Sequence, residues 1–436
     1  MRENYRSLKV AVLGGGTVGS EVAHRLLVNR DELGARIGAA LDVIGIAVRD
    51  LTATRNTPLP TELLTTDAES LVVSADIVVE VMGGIEPART LILKALESGA
   101  DVITANKALL AHHGPELFDA ASKVGAQLYY EAAVAGAIPI IRPLRDSLAG
   151  DEVHRILGIV NGTTNFILDL MDSQGQTMEQ ALEKATELGY AEADPTADVE
   201  GFDAAQKAAL LAQLAFHTAV PLDQVVREGV TGIRAEDVEE AKKAGFVVKL
   251  LALCERVRDE QGATVGVSVR VHPTLVPRTH PLAAVHGANN AVFVEADAAG
   301  SLMFYGAGAG GPQTASAVLG DIVSAARRHV VGGPGVGEST HANLPIVDPG
   351  TVITRYQVSL EVVDQPGVLA QIAQVFASRQ VSVETLQQSR EGGAGETATL
   401  VIQTHQAPEA RLRETIDELA GHPVVHAVRG VVRVEG

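Results

Sequence analysis

Between Gly189 and Lys207 the chain reads GYAEADPTADVEGFDAAQK, which sets Glu192, Asp194, Asp198, Glu200 and Asp203 ahead of a single lysine. A carboxylate beside an ammonium group can hold and orient a small zwitterion. Asp203 and Lys207 stand four residues apart in FDAAQKAALLAQLAF, whose pattern opens a helix, so both project from one helical face and can act together. The same spacing also fits a solvated acidic loop followed by an ordinary surface ion pair.

A second group of residues suits phosphate binding. LKVAVLGGGTVGSEVAHRLL has a β-type apolar run, then Gly14, Gly16 and Gly19 in G-x-G-x-x-G spacing around Thr17 and Val18, then a helical pattern continued by Val22, Leu26 and Leu27. The first glycine permits a tight turn, the second lets backbone approach a pyrophosphate, and the third lets helix pack on strand. With the helix N-terminus facing the phosphates, this is a dinucleotide site; the alternative is a tight structural turn. The next strand is expected at LDVIGIAVRD, where an acid would take the ribose hydroxyls of NAD. Arg49 and Arg55 occupy that neighbourhood and favour the 2′-phosphate of NADP, while Asp50 keeps NAD open and exposed loop arginines remain the alternative.

These residues need a frame. Strands are expected at ADIVVEVMGG, ADVITANKAL and AQLYYEAAVAG, with helices around PARTLILKALESG and GPELFDAASKVG. Such alternation predicts a parallel sheet with helices on both faces, a Rossmann-type α/β domain over residues 1–140. Ligands bind beyond the carboxyl ends of such strands, where Lys107 falls, although an ordinary surface lysine also fills such a position. Residues 141–305 mix strands and helices and predict an α+β substrate and dimerisation domain, with NGTTNF as a polar turn opening a helix. The glycine-rich run before ASAVLGDIVSAARRH is expected to return a helix, over 306–330, to the first domain with Gly308 near the cofactor, or else to be a structural turn. VGGPGVGESTHANLPIVDPG, residues 331–350, is expected to be a linker. Residues 351–436 then parse as strand, helix, strand, strand, helix, strand, the order of a ferredoxin-like fold.

The acidic segment resembles the signature of homoserine dehydrogenases, filled in order by Ala185, Gly189, Tyr190, Ala191, Asp194, Pro195, Asp198, Val199, Gly201, Asp203 and Lys207. Thr104-Ala105-Asn106-Lys107 and NGTTNF resemble the same family, and Asp364-Gln365-Pro366-Gly367-Val368-Leu369 resembles the ACT domain. The likeness implies reversible reduction of L-aspartate 4-semialdehyde to L-homoserine with NADP or NAD. It implies Lys207 as proton donor, Lys107 as a group that touches substrate and cofactor and either polarises the carbonyl or shares the proton transfer, and Asp203 as the group orienting Lys207 or the substrate. Glu192, Asp198, Gly189 and Tyr190 are its implied substrate contacts. In EAAVAGAIPI the likeness implies a monovalent cation, sodium in this family, held on main-chain oxygens of Glu131, Val134, Gly136 and Ile138. An ACT tail implies L-threonine as a feedback effector, with a ligand-free dimerisation role as the alternative. A homodimer or homotetramer is expected.

Composition bounds the rest. At 436 residues the chain exceeds what one core usually supports. With 54 acidic against 35 basic side chains and a net charge of -19, the surface is expected to repel nucleic acid and anionic membranes. Cys254, the only cysteine, is expected on an apolar helix, KLLALCERV; it excludes disulfides and suits poorly the thiolate chemistry of an aldehyde-oxidising dehydrogenase. The N-terminus has no signal-peptide pattern and no apolar run reaches the roughly 20 residues of a membrane span, so a cytoplasmic protein is expected. A rival of another class is a non-catalytic nucleotide- and amino-acid-sensing regulator, which would have no need of the Asp203/Lys207 pair.

Overall fold

The computed structural model describes residues 6–55, 57–333, 338–389 and 397–436. The chain divides into two compact units. One contains the chain up to Gly162, Gln206–Val225 and Asn289–Asn343; the other contains Thr163–Ala205, Val226–Ala288 and Leu344–Gly436.

The first unit opens with β1 (Leu8–Leu13), α1 (Thr17–Val28), β2 (Leu41–Ala47), β3 (Leu64–Thr65), β4 (Ile77–Glu80), α2 (Ala88–Glu97), β5 (Asp101–Thr104), α3 (Lys107–Val124) and β6 (Leu128–Tyr129). All six strands are parallel, in the order β3-β2-β1-β4-β5-β6. This is the doubly wound arrangement, whose strand order reverses between β1 and β4. Its strands read as unbroken apolar runs because helices cover both faces; Val10, Val12, Ile77, Val79 and Ile103 are fully buried.

Two expected strands are shorter than the apolar pattern suggests. ADVITANKAL leaves the sheet after Thr104, and α3 starts at Lys107 rather than near Gly114, with Pro115 accommodated inside it. The cause is Asn106, whose Oδ1 accepts the Leu109 N–H at 3.1 Å as a helix N-cap. AQLYYEAAVAG contributes only Leu128–Tyr129, after which Glu131–Ala133 form a single tight helical turn.

Past these come β7 (Val153–Ile159), α4 (Gly162–Gln174), α5 (Phe202–Phe216), β8 (Val226–Arg227), β9 (Phe246–Arg258), β10 (Thr264–Pro277), β11 (Asn289–Ala296), β12 (Gly300–Ala307) and α6 (Gly311–Val331). In the first unit β11 pairs antiparallel with β7 and β12. There α6 drives Ala315, Val318, Ile322 and Ala325 into the same core as Leu8, Val22, Leu26 and Ile46.

In the second unit β9 and β10 form a long antiparallel pair. Cys254 therefore lies on a strand, not on the helix expected of KLLALCERV; an apolar run buried on both sides has no period that separates the two, and Val247, Val248 and Val257 favour the strand. Burial there pushes its thiol far above the usual range. The remaining elements are β13 (Tyr356–Val363), α7 (Val368–Ser378), β14 (Val383–Ser389), β15 (Thr397–Thr404), α8 (Glu409–Ala420) and β16 (Val425–Val434). Their antiparallel order is β16-β13-β15-β14, around a core of Leu360, Ile372, Phe376 and Leu400.

The edge of β10 away from β9 is covered by three short pieces in succession. Pro345 and Val347 bracket Val267, with Val267 N–H donating to Pro345 O at 2.9 Å and Val347 N–H donating to Val267 O at 3.0 Å. Next β8 pairs with Arg270 and Val271, and β16 with Thr274 and Leu275. Residues 334–337 of the expected linker lie outside the described residues.

Candidate active site

The glycine loop after β1 is built as its spacing requires. A Cβ at Gly14 would lie 2.8 Å from Val81 O, and one at Gly19 only 1.9 Å from Gly14 O, so both are held by close packing. A Cβ at Gly16 would meet nothing within 4 Å. That open face lies at the N-terminus of α1, which begins at Thr17 and has neither a capping side chain nor an acid in its first turn. Unclaimed N–H groups at a helix start fit a pyrophosphate. Val18 packs against the core below.

Of the two arginines past β2, Arg49 is exposed. Arg55 leans over the loop, where a Cβ on Gly15 would stand 3.2 Å from its Nε. Its guanidinium donates to Ala53 O at 2.9 Å and Asp50 O at 2.7 Å. Asp50 is occupied locally: Thr52 hydroxyl and N–H both donate to Oδ1 and hold its carboxyl below the usual range.

Across the switch point, a buried acid missed at the sequence level ties two strand ends together. Glu80 accepts hydrogen bonds from Met82 N–H (2.8 Å), Gly83 N–H (3.3 Å) and the Thr104 hydroxyl (2.6 Å), while burial raises its pKa. Asn106 Nδ2 donates to Gly84 O at 2.6 Å. Lys107, the first residue of α3, is thereby fixed at the carboxyl end of β5. The only sequence signal for Glu80 is an acid closing the run IVVE.

The segment named for a cation is almost wholly buried, from Glu131 to Ile138. The Glu131 side chain is committed elsewhere: it accepts from Ile140, Ile141 and Arg142 N–H at 2.6, 2.7 and 3.0 Å, and from Arg142 Nε at 2.9 Å. Its own N–H donates to Asp321 of α6 at 2.8 Å. Burial beside Glu131 pushes the Asp321 carboxyl up to about 7. Ala135 and Gly136 both take left-handed backbone conformations, at φ 56° and 61°. Gly136 and Gly308 meet closely, since a Cβ on the former would lie 2.2 Å from Gly308 O; a Cβ on Gly308 would in turn stand 2.3 Å from Asn290. Close packing thus accounts for both glycines.

Asp203 and Lys207 are one turn apart on α5 and both are buried. Lys207 Nζ donates to Val160 O, just beyond β7, at 2.7 Å. Within the second unit the acids of the signature separate by role. Asp194 accepts from Thr196 N–H at 3.1 Å, and the Thr196 contacts hold its carboxyl below the usual range. Glu200 accepts from the Thr231 hydroxyl at 2.9 Å. Asp198 is half-buried and Glu192 is exposed. Gly189 turns the chain with φ +76°, and Tyr190 O accepts from the Thr163 hydroxyl at 2.7 Å while its ring packs on Phe166. A further buried cation, Lys249 on β9, donates to Asn165 Oδ1 (2.9 Å) and Val285 O (2.7 Å); burial pushes its pKa down to about 8. Thr163 and Asn165 are two of the polar residues of NGTTNF and lie in the first turn of α4.

A doubly wound sheet with an open glycine loop is the arrangement of a dinucleotide-binding domain, and the same compact unit holds a buried lysine, Lys207, fixed just beyond β7. Residues 14–131 match the NAD binding domain of homoserine dehydrogenase, 139–323 match homoserine dehydrogenase itself, and 356–421 match the ACT domain. The chain is 55% identical to homoserine dehydrogenase of Mycobacterium tuberculosis over 441 residues, covering 100% of this chain and 99% of that one. It is 54% identical to that of Corynebacterium glutamicum over 428 residues, covering 98% and 95%. A homoserine dehydrogenase crystal structure from Thiobacillus denitrificans superposes with a TM-score of 0.91 at 37% identity, covering 99% of both chains. A hyperthermophilic archaeal homoserine dehydrogenase in complex with NADPH has a TM-score of 0.62 at 28% identity, covering 76% of this chain and 99% of that one. The chain belongs to the homoserine dehydrogenase family. It is an oxidoreductase with a nicotinamide cofactor and a C-terminal ACT domain, and the reading as a non-catalytic sensor loses its ground. Among the described residues no helix is long and apolar enough to cross a membrane.

Proposed function

We propose that the chain interconverts L-aspartate 4-semialdehyde and L-homoserine with NADP(H) as preferred dinucleotide and Lys207 as the proton-transfer group. The observation that carries this is the buried Lys207 ammonium, fixed by Val160 O on a helix of the dinucleotide-binding unit. The dinucleotide supplies or accepts the hydride at the substrate's C4. In reduction Lys207 donates a proton to the oxygen left by the aldehyde; in oxidation its neutral amine takes the hydroxyl proton. Asp203, one turn earlier, orients that ammonium. Lys107, at the first position of α3, polarises the carbonyl and contacts the dinucleotide. Glu192 takes the substrate ammonium, and Asp198, Gly189 and Tyr190 complete its contacts.

The preference for NADP rests on Arg55, whose guanidinium is held beside Gly15, with Arg49 as a second cation and Asp50 engaged by Thr52. The pyrophosphate lies along Gly14, Gly16, Thr17, Val18 and Gly19, with Gly308 behind the loop at Gly136. Carbonyls of Glu131, Val134, Gly136 and Ile138 suit a monovalent cation such as sodium, a reading supported by the burial and the left-handed turns of that loop. L-Threonine acts through the ACT domain, and the enzyme works as a homodimer or homotetramer. Initial rates of dinucleotide reduction by L-homoserine, with NADP and NAD in parallel, test the core of this reading. NADP is expected to give the higher kcat/KM, and Arg55→Gln to lower it about tenfold for NADP alone, as loss of a charged hydrogen bond requires. Equal efficiency with both dinucleotides in the native chain would remove the arginine from the argument.

A further inference from the structure

Three consecutive residues join the acidic segment to the lysine-bearing helix, and one arginine touches all of them. Arg227 of β8 donates through Nη1 to Glu200 O. Its Cγ is one of two groups lying 3.4 Å from where a Cβ on Gly201 would be, the other being Val271 Cγ1. Its guanidinium carbon stands 3.5 Å from the centroid of the Phe202 ring, the first residue of α5. Gly201 itself is left-handed, at φ +76°. The residues after Arg227 complete the cradle: Val230 N–H donates to Val199 O at 2.8 Å, the Thr231 hydroxyl holds Glu200 Oε1, and a Cβ on Gly229 would stand 2.5 Å from Val199 O. The turn that sets the direction of α5, one residue before Asp203, is thus gripped from β8.

What grips β8 is the C-terminal tail. Glu228, next to Arg227, accepts from Arg433 Nη1 of β16 at 2.7 Å. Arg433 is anchored in turn by Glu409 of α8, at 2.7 Å from Nη2, and the Tyr356 hydroxyl of β13 donates to the same carboxylate at 2.7 Å. Along the edge of β10, β8 lies between two pieces of the tail, Pro345–Val347 and β16. The path from Glu409 to Phe202 therefore runs through two charge pairs that share Arg433, then along the chain from Glu228 to Arg227, whose guanidinium lies over the Phe202 ring.

We infer that Arg227 is a positioning residue for the homoserine reaction, holding the Glu200–Phe202 turn so that Asp203 and the acidic segment meet the substrate, and that Glu228–Arg433 is the bond through which the tail sets Arg227. The inference rests on the proposed roles of Asp203 and Glu192. It places the tail's influence on the amino-acid substrate rather than on the dinucleotide, because the grip is on the acidic segment and not on the glycine loop.

The full chain carrying Arg227→Gln, Arg227→Lys, Glu228→Gln and the double variant R227Q/E228Q tests it, with KM for L-homoserine and for the dinucleotide measured separately. Arg227→Gln is expected to raise KM for homoserine about tenfold while KM for the dinucleotide stays within about twofold, a split that general destabilisation would not give. Arg227→Lys keeps a cation over Phe202 and a donor for Glu200 O, and is expected to restore most of the loss. Glu228→Gln is expected to act in the same direction but less, and to add nothing on top of Arg227→Gln, because the two lie in series. An unchanged homoserine KM in Arg227→Gln, or equal shifts of both KM values, overturns the role of Arg227. Multiplicative effects in the double variant overturn the link to the tail. A native chain inactive on homoserine would instead remove the proposed reaction itself, so the two failures are distinct.

Discussion

In the proposed reaction Lys207 transfers the proton, and its surroundings suit a single side chain to that role. An ammonium group has three donors, and burial makes each one costly to leave without an acceptor. Val160 O takes one at 2.7 Å and fixes the direction of the long side chain. Lys207→Ala is expected to lower kcat by about two to four orders of magnitude, the usual worth of a general acid or base, with dinucleotide affinity unchanged by fluorescence titration. Normal turnover in that variant would move the proton to another group. In sequence the five acids ahead of Lys207 look alike, and only their density marks the segment. The fold separates them through partners that carry no motif: Thr231 claims the Glu200 side chain from 31 residues away and Arg227 its carbonyl from 27. Asp194 turns back on Thr196.

At the level of elements, α6 shows what a local pattern conceals. Its apolar spacing is legible, and so is its start in a glycine-rich loop, but Asp321 sits among the apolar residues of that helix and its reason lies 190 residues earlier, at Glu131 N–H. The cap by Asn106 was equally present in the sequence, yet the apolar run through Thr104 hides where strand gives way to helix. In KLLALCERV burial on both sides removes the period that would mark a strand. Asp321 has a thermodynamic consequence. Its carboxyl is raised from 3.8 to about 7, so between those values the folded chain binds more protons there than the unfolded chain. Its contribution to stability is full below the unfolded pKa and is lost as pH rises through 7. Asp321→Asn keeps an oxygen for Glu131 N–H and removes the titration. The variant is therefore expected to gain on the native chain between about pH 4 and 8, by at most roughly 4 kcal/mol. Urea unfolding of both proteins at pH 5 and pH 8 measures this, and parallel pH profiles would rule out Asp321 as the group responsible.

For the whole molecule, the relevant fact is that the tail from Leu344 on belongs to the same compact unit as the acidic segment up to Ala205. The ferredoxin-like order of residues 351–436 was legible from alternating apolar patterns. The attachment of that module was not, because strand pairing along the edge of β10 uses backbone groups, which leave no trace in side-chain identity. Glu435 N–H donates to Leu275 O at 2.9 Å, and Val267 exchanges two backbone bonds with Pro345 and Val347. A chain ending near Gly333 would lose all of these and expose the edge of a long, buried strand, the kind of surface that pairs with other chains. Such a truncation is therefore expected to aggregate, seen by light scattering after size exclusion, rather than to yield an enzyme freed from its effector. A monodisperse truncated protein with native KM for L-homoserine would show that the tail is dispensable to the unit. With the edge intact, the proposed effect of L-threonine is better read from the full chain with substitutions inside the tail, where loss of inhibition with unchanged turnover separates ligand binding from the support that the tail gives to β10.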